Sequence, residues 1–173
     1  MEYGLIGEKL AHSFSKEIHG YIGDYSYELC EIPKEKLPEF LAKKQFKAVN
    51  VTIPYKQAVI PFLSEISPEA QKIGAVNLIV NKNGRLCGYN TDYFGAKRLI
   101  ERAHVQVKGK KALILGSGGT RHTLFAVLSD MGAREILTVS REKSTDTITY
   151  EEAKTLHKDA QIIANATPVG MYP

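Results

Sequence analysis

The chain lacks what export or a membrane would require. It has two cysteines, Cys30 and Cys87, each inside an apolar strand-like run where a reduced thiol behaves as a small hydrophobe, so no disulfide framework is expected. No apolar run approaches the ~20 residues needed to cross a bilayer, and Met1-Glu2-Tyr3-Gly4 carries no basic n-region. Neither secretion nor membrane insertion is expected, and a cytoplasmic, reducing setting fits best. Fixed-period repeats and low-complexity segments are also missing, which excludes solenoids and disordered arrays.

A strong excess of one charge is missing too. The net charge is +4, and the small clusters at Lys43, Lys44 and Lys47 and at Lys108, Lys110 and Lys111 come with no zinc knuckle and no aromatic RNP-like pattern. Nucleic acid is therefore not an expected partner, while a mildly basic surface favours anionic small molecules. Hydrophobic residues make up 43% and charged residues 24%, ordinary globular usage, and 173 residues suffice for one domain or two small ones.

What is present is an alternation of strand and helix signals. Residues 3–6 and 25–32 read as strands with a helical segment at 15–22 between them, and 35–44 as a helix. The β-branched run 48–53 reads as a strand, with Pro54 placed to open another helix. Residues 75–80 and 85–89, joined by Asn83-Gly84, read as a hairpin at the edge of the first sheet. A helix at 92–102 follows, and the polar stretch 104–110 marks a boundary, so the expected domains are 1–103 and 104–173. Beyond it, 111–115 is a strand buried on both faces that runs into Gly116-Ser117-Gly118-Gly119-Thr120 and a helix through Met131. Residues 135–139, 150–157 and 161–164 read as strand, helix and strand. The fold class is α/β: an N-terminal α/β domain followed by a truncated Rossmann-like domain with three strands.

The glycine turn lies between a buried strand and a helix, where backbone N–H groups and the positive helix end can meet a pyrophosphate. The strict G-x-G-x-x-G pattern breaks at its sixth position, which is Arg121. The second strand of this lobe does not end on the Asp or Glu that grips a ribose 2′-hydroxyl. Ser140-Arg141-Glu142-Lys143 stands there instead, and a guanidinium at Arg141 suits the 2′-phosphate of NADP.

In the first lobe Ser13, Ser15, Thr52, Lys56, Asn77 and Asp92 fall near strand ends, where α/β sheets build their ligand crevices. Taken singly, Ser15 and Asp92 also read as helix N-caps. Lys56 falls in the first turn of a helix, an unfavourable place for a cation. A lysine beside a carboxylate can deliver and retrieve the proton that ketone reduction by hydride requires, which makes Lys56 and Asp92 the candidate catalytic pair.

Six motifs then occur in order: His12-Ser13-Phe14-Ser15, Asn50-Val51-Thr52-Ile53-Pro54-Tyr55-Lys56, Gly74-Ala75-Val76-Asn77, Tyr89-Asn90-Thr91-Asp92, the glycine turn, and Asn165-Ala166-Thr167-Pro168-Val169-Gly170-Met171. In these the chain resembles the shikimate dehydrogenase family. The resemblance implies NADP-dependent, reversible reduction of 3-dehydroshikimate to shikimate in aromatic amino-acid biosynthesis. By it, Ser13 and Ser15 would bind the carboxylate, and Thr52, Lys56, Asn77 and Asp92 the ring hydroxyls, with Lys56 as acid/base group. Gly116, Gly118, Gly119 and Thr120 would meet the pyrophosphate, Arg141 the 2′-phosphate and Thr167 the nicotinamide side. Lys16 and Arg121-His122-Thr123 depart from the family's usual residues, and its C-terminal part is absent. Two readings follow: an oxidoreductase, or a catalytically silent shikimate-binding module. An unfinished second sheet also implies self-association.

Overall fold

The computed structural model describes residues 1–11 and 13–170; His12 and Met171, which begin and end two of the motifs, lie outside them. Contacts divide the chain into two units, one ending at Thr91 and one beginning at Asp92.

The first unit contains β1 (Tyr3–Gly7), α1 (Ser15–Ile22), β2 (Tyr27–Glu31), α2 (Leu37–Lys43), β3 (Ala48–Val51), α3 (Tyr55–Ala58), β4 (Glu65–Ile66), α4 (Pro68–Ile73), β5 (Leu78–Lys82) and β6 (Arg85–Tyr89). Its sheet runs β2-β1-β3-β5-β6-β4. β1 pairs parallel with β2 and β3, whereas β3, β5 and β6 alternate in direction. The hairpin forms where Asn83 (φ 54°) and Gly84 (φ 85°) take the left-handed conformations of a tight turn. It is not the sheet edge, because the two-residue β4 pairs beyond it, Glu65 with Cys87 and Ile66 with Gly88. α4 was not expected either. Ser67 caps it by accepting from the Ala70 N–H at 3.3 Å, and Pro68 supplies its first residue.

One face of this sheet carries the main core. Ile6, Val49, Val51 and Ile79 project from adjacent strands onto Leu41, Tyr55 and Val59, all buried. Tyr55 is fully enclosed, and its hydroxyl donates to the Ile32 carbonyl at 2.5 Å. Lys56 follows Tyr55 directly, so the anchored ring fixes the start of α3 and with it the lysine's backbone.

The second unit holds most of α5 (Thr91–Arg102), then β7 (Lys111–Leu115), α6 (Thr120–Asp130), β8 (Glu135–Ser140), β9 (Thr147–Thr149), α7 (Tyr150–Leu156) and β10 (Ile162–Asn165). Its sheet, β10-β7-β8-β9, is parallel throughout and has four strands among the described residues rather than three. β9 was missed because three residues carry no periodicity of their own. It is held by pairing Thr138 with Thr147 and Ser140 with Thr149. α7 begins with a reciprocal cap, in which Thr149 Oγ1 accepts from the Glu152 N–H and Glu152 Oε2 from the Thr149 N–H.

Candidate functional site

Of the residues expected to meet the substrate, Ser13, Thr52, Lys56 and Asn77 lie on segments at one end of the first sheet. β1 and β3 are parallel, and Ile6 lies opposite Val51, so the segments carrying Ser13 and Thr52 leave the sheet from the same end. β5 is antiparallel to β3, with Leu78 opposite Asn50, which brings Asn77 to that end too. Backbone bonds join these pieces: Thr52 N–H to the Ile6 carbonyl at 3.0 Å, Val51 N–H to the Asn77 carbonyl at 2.8 Å, and Val76 N–H to the Lys56 carbonyl at 2.8 Å. Asn77 is buried, whereas Thr52 and Lys56 are half-buried.

Thr91, given no role by sequence, locks the Asn77 side chain. Asn77 Nδ2 donates to Thr91 Oγ1 at 3.0 Å, while the Thr91 N–H donates to Asn77 Oδ1 at 2.8 Å. With both ends of the amide bound, its orientation is set before any ligand arrives. Buried Asn90 braces the same turn through Nδ2 to the Ala75 carbonyl at 3.0 Å. The only signal for these two residues was their place beside Asp92 in one motif.

Ser13 and Ser15 stand together. Ser13 Oγ lies 3.1 Å from Ser15 Oγ and accepts the Ser15 N–H at 3.2 Å. Ser15 is the first residue of α1, with Phe14 at its cap position and no side-chain cap bond, so the simple capping role does not apply. Nor does it apply to Asp92, which lies inside α5 and opens the second unit, exposed.

In the second unit β7 has β10 on one side and β8 on the other. The chain leaves β7 for β8 and comes back to the far side of β7 as β10, so the sheet contains the point where strand order reverses, at whose carboxyl ends open α/β sheets bind ligands. Gly116 follows β7 with φ 105°. A Cβ there would come within 2.9 Å of Thr167 Cγ2 and 3.1 Å of the Ala166 carbonyl, so only glycine fits, and the contact joins the glycine turn to Thr167. Added Cβ atoms at Gly118 and Gly119 meet nothing within 4 Å; these two leave the mouth of the turn open. No side chain caps the first turn of α6, which suits an anion at its N-terminus. These features fit a dinucleotide pyrophosphate.

Asn165, also unassigned by sequence, shapes the loop after β10. Its Oδ1 accepts from the Thr167 N–H at 2.9 Å and from Thr167 Oγ1 at 2.7 Å. Arg141 is exposed one residue past β8. Among the described residues no cluster of histidines, cysteines or carboxylates could hold a metal ion, and no helix is long and apolar enough to cross a membrane.

Residues 5–79 match the Shikimate dehydrogenase substrate binding domain family. The chain is 41% identical to Shikimate dehydrogenase (NADP(+)) of Clostridium beijerinckii, covering 99% of this chain and 69% of that protein. That alignment runs over 188 residues against a chain of 173, so at least fifteen positions within it are filled only in the relative. The Clostridium perfringens protein of the same name is 40% identical over 99% of this chain and 69% of its own. Among solved structures, shikimate dehydrogenase 1 of Peptoclostridium difficile superposes with a TM-score of 0.82 at 41% identity, covering 100% of this chain and 70% of that one. The Thermus thermophilus enzyme, solved in complex with NADP(H) and shikimate, gives 0.83 at 32% identity over 98% and 69%.

Proposed function

Because the chain belongs to the shikimate dehydrogenase family, we propose that its first unit binds shikimate and 3-dehydroshikimate and that its second unit binds NADP, for their reversible interconversion. The observation that carries this reading is the pre-set Asn77, its amide bound at both ends by Thr91, at the sheet end shared with Thr52 and Lys56. A rigid amide beside a hydroxyl and an ammonium suits a ligand with several ring hydroxyls. Ser13 and Ser15 present adjacent hydroxyls to its carboxylate.

NADPH, held by the glycine turn, Arg141 and Thr167, would supply the hydride for the ketone carbon in the reducing direction. As the carbonyl oxygen gains charge, Lys56 delivers a proton to it, and in the reverse direction Lys56 takes the proton from the hydroxyl. Asp92 is the carboxylate proposed to hold a ring hydroxyl and serve Lys56. Gly116, Gly118, Gly119 and Thr120 would take the pyrophosphate, Arg141 the 2′-phosphate, and Thr167 the nicotinamide side. The two-domain reading, residues 1–103 for substrate and 104–173 for cofactor, and a cytoplasmic setting belong to the same proposal, as does self-association through the second unit.

Calorimetry with shikimate and NADP+, together with absorbance at 340 nm, tests it. Saturable binding of both and NADP+ reduction are expected, and Lys56→Ala should lower turnover by about 100-fold or more while keeping most of the substrate affinity. Shikimate binding with neither NADP+ binding nor turnover would establish the silent binding module instead.

A further inference from the structure

The second unit contains a cavity that the proposed reaction does not use. Parallel strands are normally joined by a crossover of a dozen or more residues with a helix in it. Residues 116–134 carry α6 between β7 and β8, and 150–161 carry α7 between β9 and β10, but only residues 141–146 join β8 to β9. So short a link suffices because β9 overlaps just the last three residues of β8. No helix of this crossover can therefore cover the sheet beside α6.

The uncovered place is a cavity of about 520 Å³, within the roughly 300–1,000 Å³ of small-molecule sites. Ile136, Thr138 and Thr147, which share the sheet face toward α6, floor it and Phe125 of α6 walls it, with 47% of that residue exposed. None of Gly116, Gly118, Gly119, Thr120, Arg141 or Thr167 lines it. Arg121, which breaks the glycine fingerprint, and the next residue, His122, do. The Arg121 side chain is only 18% exposed, and one of its nitrogens meets Asp146 Oδ2 at 3.4 Å. A guanidinium has five donors, so this single long contact leaves most of them for another acceptor. Lys143 on the rim is already engaged by Glu152, and Asp146 is the one acidic residue of the lining against Arg121, His122 and Lys143.

We propose that this cavity is a second small-molecule site, taking an aromatic carboxylate whose ring lies against Phe125 and Ile136 and whose carboxylate is held by Arg121. The flat apolar body follows from Phe125 and Ile136, and the single negative charge from the half-buried cation of the lining that is only partly engaged.

The test is titration of the intact chain with 2-naphthoate, followed by the ligand's own fluorescence, with the uncharged 2-naphthamide alongside and with saturating NADP+ as challenger. Saturable one-to-one binding is expected, weaker for the amide by about tenfold and undiminished by NADP+. Arg121→Gln should remove the preference for the acid, and Phe125→Ala should weaken both ligands. If either variant fails to fold, the acid-to-amide ratio on the unaltered chain decides. Absence of saturable binding, equal affinity for acid and amide, or displacement by NADP+ would each overturn the proposal, the last by assigning the cavity to the cofactor.

Discussion

The two units dispose of their apolar surface differently. In the first, six strands share a face packed by α2, α3 and α4, and thirteen buried residues form one continuous cluster. In the second, four strands among the described residues carry, beside the buried Ala126 and Val127 of α6, separate clusters of four and three buried residues. Ile163 of β10 is 67% exposed there, while Ile136 and Leu137 are only half-buried. The residues proposed for the substrate thus rest on a well-filled core, whereas those proposed for the cofactor pair a strained glycine turn with a sheet that leaves apolar side chains more open. Ligand binding by the first unit should be the more robust property and cofactor binding the more fragile.

The largest test of that contrast is Ile79→Ala. Ile79 is fully buried in the first core, and its truncation should cost about 2–5 kcal/mol. Shikimate binding should vanish while amide exchange in β7 and β8 is unchanged, as hydrogen-exchange mass spectrometry can show; loss of protection in both units would mean that they fold as one. Next comes Gly116→Ala, where a Cβ meets Thr167 and Ala166 and φ is 105°. About 1–3 kcal/mol of local strain should follow, NADP+ binding should be lost, and shikimate affinity measured by calorimetry should stay within about twofold.

Extremes of pH should separate the units in opposite directions. The hydrogen bond from Lys111, helped by its charge, holds the Asp159 carboxyl below its usual 3.8, and Lys143 does the same for Glu152. Groups whose folded pKa is depressed stabilise the fold above the unfolded value, and that contribution is lost as pH falls through the folded value. The second unit, with two such groups against Glu39, held down by Lys43, in the first, should therefore lose exchange protection first on acidification below about 4. In the first unit, burial and the neighbouring Tyr25 push the Tyr27 hydroxyl up to about 12. Its ring stacks on His19, with centroids 3.7 Å apart, and the hydroxyl donates to Asn50 Oδ1 at 2.7 Å. Keeping Tyr27 protonated stabilises the first unit below pH ~10, and this is lost as pH climbs from ~10 to about 12. Absorbance at 295 nm should show two late-titrating tyrosines, Tyr27 and the enclosed Tyr55, whose hydroxyl burial also pushes up.

The smallest effect is expected at Ile163→Lys. A change at an exposed position should alter thermal stability by no more than about 0.5 kcal/mol. It should nevertheless reduce any concentration-dependent association seen in sedimentation, because a charge on an open strand discourages edge pairing. Unchanged association would place the self-contact elsewhere.

Signals contained in a few adjacent residues were legible. Asn83-Gly84 specified its turn, and the run at 111–115 with the glycines after it located β7, the cofactor turn and α6. β4, with two residues, β9, with three, and α4, with six, were too short for any periodicity to register. Each exists through a ladder partner or a cap. The site divides in the same way. Ser13, Thr52, Lys56 and Asn77 could be picked out from their places near strand ends, but Thr91 could not. Its role is a pair of bonds across fourteen positions of sequence to Asn77.

The sequence by itself determined the α/β class, the order of most elements, the family and the candidate ligands of substrate and cofactor, because each depends on local patterns or on motifs in order. Only the tertiary structure decided that the second sheet has four strands among the described residues and contains the reversal of strand order, that Asn77 is held by Thr91, and that Arg121 and His122 line a cavity. These depend on which distant segments pair and on how few residues connect β8 to β9, and no local preference encodes either.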